Sequence, residues 1–114
     1  KKEIIDFPIE FRTVLSKSYE TSDALIFIVK NKSIALKCRD ELLKIGFGTK
    51  ILPEAISWHF AGMWNHMPTL VNRNNLSLKK SIDILERSVA LPINLKVEEN
   101  IAMKVRSALL NVFN

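Results

Sequence analysis

The spacing of apolar residues changes its rhythm along this chain, and each rhythm predicts a different element. Residues 24–29, ALIFIV, form an unbroken apolar run between Asp23 and Asn31. Such a β-branched and aromatic run predicts a strand that is central in its sheet or buried on both faces. In the next stretch, SIALKCRDELLKIG, Ala35, Cys38, Leu42 and Ile45 recur at spacings of three, four and three, which is one face of a helix. Asn31 or Ser33 can cap its start, and Gly46 stands where a left-handed stop is wanted. TKIL at 49–52 then reads as a short strand ended by Pro53.

Further on, Leu78, Ile82 and Leu85 share a stripe in LSLKKSIDILER, with Asn75 as its candidate cap. VALPI at 89–93 reads as a brief strand whose proline puts it at an edge or at a strand end. Val97, Ile101, Val105, Ala108 and Val112 mark a terminal helix, with Glu98 and Glu99 expected in its first turn, where the helix dipole favours negative charge. Residues 1–22 have no clean period. IIDFPIEFRTVL reads as a connecting segment with at most a short strand or turn. The order of elements predicts an α/β chain of the two-layer α+β kind, a small sheet of about three strands with helices packed on it.

Composition narrows the class. At 114 residues, 47% hydrophobic and 25% charged, the chain fits one globular domain. The single cysteine cannot form an internal disulfide, which makes a reducing cytoplasm the expected compartment. No apolar run approaches the roughly 18 residues of a membrane span, so no membrane partner is expected. The net charge of +5 is uneven: residues 1–30 carry five bases and five acids, whereas no Asp or Glu occurs from Ala55 to Ile82. That stretch holds His59, His66, Arg73, Lys79 and Lys80, and it favours an anion nearby: a carboxylate, a phosphate or nucleic acid. An ordinary solvated surface of bases accounts for it equally well.

Both tryptophans and both histidines fall within ten residues, at Trp58, His59, Trp64 and His66. The two histidines are seven apart, wider than the spacing of about two to five residues in compact zinc signatures, so no metal site is expected. Cys38 lies on the inward stripe of its helix and reads as a buried thiol rather than a nucleophile. No nucleophile elbow, phosphate-binding loop or dinucleotide fingerprint is present. Gly62 interrupts the aromatic segment, and its mixture of apolar and hydrogen-bonding rings suits the wall of a ligand site. Phe60 and Trp64 are expected to fill core. The alternative from another functional class is a small basic nucleic-acid-binding domain without enzymatic activity, using Lys79 and Lys80 or Lys104 and Arg106 on phosphates.

Two longer stretches, LLKIGFGTKILPEAISWH and ERSVALPINLKVEENIAMKVRSALLNVF, resemble the C-terminal small domain of the DegT/DnrJ/StrS sugar aminotransferases, which are fold-type I pyridoxal-phosphate enzymes. The first stretch matches a family pattern of the "KGIGT" strand followed by a loop of the type "HYPxPLHxQPxY". The second matches the "LSLPxxPxLTEEDVxxVIxAL" tail. The likeness spans about residues 22–113, and the segment ILPEAISWHFAGMWNHM is most similar to the branch related to 8-amino-3,8-dideoxy-manno-octulosonate transaminase. It implies residues 1–21 as a connection to an N-terminal cofactor domain outside this chain, and 22–114 as the small domain. It also implies a homodimeric parent enzyme and transfer of an amino group from glutamate or glutamine to a keto or aldehyde sugar.

On this resemblance His59 corresponds to the loop histidine and Pro53 to the loop proline, while Trp58, His66 and Arg73 are substrate-side candidates for a sugar or nucleotide sugar. The family's glutamine is Ala61 here and its "HY" is Ile51 and Leu52, departures that point to an atypical sugar. The Schiff-base lysine and the acid that pairs the pyridinium nitrogen belong to the family's larger domain. No catalytic or cofactor-binding residue is therefore expected in this fragment, which should be inactive alone.

Overall fold

The computed structural model of the chain describes residues 1–20, 23–48, 60–61, 64, 66–67, 78–93 and 98–114. Among them, strand β1 (Glu10–Phe11), β2 (Ala24–Ile28) and β3 (Ser88–Pro92) form an antiparallel sheet in the order β1-β2-β3. The apolar run is therefore the central strand. Phe27 pairs with Phe11 on one side and Val89 on the other, and Leu25 pairs with Leu91. Side chains alternate across a strand, so Leu25, Phe27, Val89 and Leu91 share one face and meet the helices. Bonds from Val29 N–H to Arg87 O and from Ile93 N–H to Asp23 O, both 2.9 Å, extend the ladder past each end of β3. Pro92 is its last residue, where the missing N–H costs least.

Helix α1 (Lys32–Lys44) begins as its sequence suggests: the Asn31 side chain accepts the Ile34 N–H at 3.0 Å. It ends on Gly46, whose φ of 84° is left-handed. The Gly46 N–H donates to Leu43 O and the Phe47 N–H to Leu42 O, both at 3.0 Å. This pair of bonds is the Schellman stop, and it folds Phe47 back over Leu42 and the core. The inward stripe is Ala35, Cys38 and Leu42, all buried.

It packs against α3 (Ile101–Phe113), which buries Val105, Ala108 and Leu109. The helix starts later than its pattern suggests. Asn100 occupies the cap position, so Glu98 and Glu99 precede the first turn rather than lie in it. Glu98 instead caps the approach with its carbonyl, which accepts the Ile101 N–H, and its carboxylate pairs with Lys104 at 2.5 Å. Helix α2 (Lys79–Glu86) buries no residue fully; Ile82 and Leu85 are half-buried. Leu78 precedes it without a side-chain cap, and Asn75 lies outside the described residues. The strand expected at 49–52 and Val97 also lie outside them.

The opening segment contributes more to the core than its irregular pattern suggests. A 3-10 turn at Lys2–Ile4 and two tight turns bring Ile4 (3% exposed) and Phe7 (8%) into the core. Phe7 stacks on Phe113 at the far end of the chain, with ring centroids 5.3 Å apart. Arg106 fastens this segment to α3: its guanidinium donates to Glu3 O and, as a fork, to both oxygens of Asp6 at 2.6 and 2.7 Å. It also lies over the Phe7 ring, 5.2 Å from the centroid.

Candidate functional site

Of the residues singled out for ligand contact, Trp58, His59 and Arg73 lie outside the described residues, and His66 lies within them. His66 is exposed and its ring stacks on Trp64, with centroids 6.1 Å apart and planes at 29°. Two turns hold this pair: the Trp64 N–H donates to Ala61 O and the Met67 N–H to Trp64 O, both at 3.1 Å. Phe60 and Trp64 are half-buried rather than buried, so neither is the plug of core that its composition suggests. A half-buried indole beside an exposed imidazole offers one apolar face and one hydrogen-bonding edge, a surface suited to a polar ligand with a flat or ring-shaped body.

Cys38 is fully buried, and desolvation pushes its thiol up to about 12, which removes it from nucleophilic chemistry near neutral pH. Among the described residues no three His, Cys, Asp or Glu side chains gather as metal ligands. The bases considered for phosphate contact divide. Lys104 and Arg106 on α3 each end on a carboxylate of their own chain, whereas Lys79 and Lys80 stand exposed at the start of α2.

The structure adds a cavity that the sequence pattern does not announce. About 240 Å³ of space, almost wholly apolar, opens between the Ala24 end of the sheet and the start of α3. Leu25, Phe47, Leu91 and Ile101 line it, with Lys1 and Glu3 at the rim. Its walls come from separate parts of the chain, and each lining residue reads by itself as ordinary core. A second, more polar groove runs between α1 and α3, but its Glu41 already accepts from Lys44 and from Asn111.

A scan against models of known protein families finds no match for this chain, and a search of curated proteins finds none either. The described residues do not fit pyridoxal phosphate. Every described lysine lies on the surface, and Lys1, Lys32, Lys44 and Lys104 each pair with a carboxylate there. An imine-forming lysine needs the opposite setting, a desolvated pocket that lowers its pKa. Among the described residues no helix is long and apolar enough to cross a membrane.

Proposed function

We propose that this chain is the substrate-side C-terminal domain of a pyridoxal-phosphate-dependent sugar aminotransferase of the DegT/DnrJ/StrS kind. The parent enzyme transfers an amino group from glutamate or glutamine to a keto or aldehyde sugar in cell-surface polysaccharide or lipopolysaccharide synthesis in the cytoplasm. The cofactor and its lysine reside in a preceding domain, and this part is inactive without it. One observation carries the reading: the resembling motifs follow one another in the same order as the elements. LLKIGFG closes α1 at its Schellman stop, VALP lies on β3, and VRSALLNVF lies within α3. The exposed His66 beside Trp64, in a stretch free of acids, supports an anionic sugar as the ligand of that rim.

The test is made on the complete gene product. It should carry the absorbance of bound coenzyme and move an amino group from glutamate to a sugar, and His59→Ala should raise the sugar's KM or lower kcat. A product that holds no coenzyme rejects the reading. Steeply salt-dependent binding of DNA or RNA would put the basic-domain alternative in its place.

A further inference from the structure

Residues 1–11 are joined to the rest of the molecule by a short set of contacts, most of them made by α3. Phe7 stacks on Phe113, and Arg106 reaches Glu3 O, both oxygens of Asp6 and the Phe7 ring. The sheet adds the two-residue ladder of β1 on β2, Glu10 against Ile28 and Phe11 against Phe27. The covalent link runs through residues 12–20, which are exposed throughout, Leu15 by 77% and Tyr19 by 99%. That loop therefore brings little packing of its own. Two further contacts close the segment on itself: Lys1 pairs with Glu20 at 2.7 Å and stands 6.0 Å from the centroid of the Phe11 ring. Burial is divided unequally. The largest fully buried side chains, Phe27, Val29, Cys38, Leu42 and Leu109, all lie outside residues 1–20. Ile4 and Phe7 add to a core that α1, α3 and the sheet already share.

We infer that residues 1–11 form a strap that opens as one unit about the 12–20 loop while α1, α3, β2 and β3 stay folded. The strap lifts as a unit because one side chain, Arg106, holds Glu3, Asp6 and Phe7 together, so losing that hold loosens all three. Its latch is an ion pair at the surface, a contact of modest strength that can release without unfolding the core. Opening takes Ile4 and Phe7 out of the core and bares the edge of β2 that β1 covers. Unpaired backbone groups on such an edge are a template for another strand, and the closed strap is what caps them. None of this depends on the aminotransferase reading.

Native-state hydrogen exchange of the 114-residue chain in rising, sub-denaturing urea tests the strap. The Phe7 amide and the amides of the β1–β2 ladder should exchange about a hundredfold or more faster than those of Leu42 and Leu109, after correction for their unfolded rates. They should also share one urea dependence, above zero because Ile4 and Phe7 become exposed, and shallower than that of the helices. Asp6→Asn, at an exposed position, should speed the strap amides about two- to fivefold. Cys38→Ala loosens the core and should speed the Leu109 amide about threefold or more, while the strap amides keep their wild-type rates. Strap and helix amides with the same protection and the same urea dependence overturn the inference, because the chain is then one cooperative unit. So does equal acceleration of both by Cys38→Ala. Strap amides that exchange with no urea dependence overturn it too, since they then fray one by one.

Discussion

Two arginines hold two corners of this molecule with the same chemistry and different reach. Arg87, at the α2–β3 junction, donates to Val29 O at 3.1 Å and to Asp83 one helical turn back, at 2.8 and 3.0 Å. Arg106 likewise takes a backbone carbonyl and a carboxylate, but its carboxylate, Asp6, lies 100 residues away in sequence. The first clamp ties α2, which has no fully buried residue, to Val29 just past the end of β2. The long-range clamp closes the chain on itself and holds Ile4 and Phe7 in the core. Like chemistry therefore does not mean equal weight: an ion pair counts for what its breaking would release.

The sharpest way to probe this contrast is to empty what the long clamp protects. Phe7→Ala should destabilise the chain by about 3 kcal/mol, read from denaturant unfolding, whereas Leu85→Ala on half-buried α2 should cost clearly less. Equal losses would break the comparison. Next in size is removal of the clamps themselves. Arg106→Ala should speed hydrogen exchange at the Phe7 and Ile9 amides, on the order of tenfold, while Arg87→Ala leaves them unchanged.

The smallest effect is in pH. The hydrogen bonds from Arg106 hold the Asp6 carboxyl below its ordinary value of 3.8. A carboxyl depressed in the folded state binds fewer protons there than when unfolded. Its contribution is thus full above about pH 4 and is lost as pH falls through the lowered folded value. Wild-type protein should lose more stability than Arg106→Ala between about pH 4 and pH 2. Parallel curves would show that the fork is not what depresses Asp6.

The same contrast explains what could be read in advance. Helix α1 was legible because independent signals agree on it: the Ala35–Cys38–Leu42 stripe, the Asn31 cap and the Gly46 stop. Strand β2 was legible from its unbroken apolar run. The opening segment was not, because a 3-10 turn, two tight turns and a two-residue strand leave no period to detect, and Ile4 and Phe7 owe their burial to partners at the other end of the chain. Glu98 and Glu99 misled for a different reason. Dipole preference marks the neighbourhood of a helix start, and here the backbone turns once more before Asn100. At the candidate site the sequence could isolate His66 and Trp64 by their rarity, but not their mutual stacking. Trp58, His59 and Arg73 lie outside the described residues. The cavity had no local signal at all, since a hollow is a relation between elements rather than a property of any one.

Cys38 gives the molecule a built-in clock. It is the sole cysteine, sealed between helix and sheet, with its thiolate suppressed by burial. A thiol-alkylating reagent can reach it only when the core itself parts, so the labelling rate under native conditions reads out that opening from a single natural reporter. A fluorophore attached to a cysteine newly introduced on the surface would then mark that position alone.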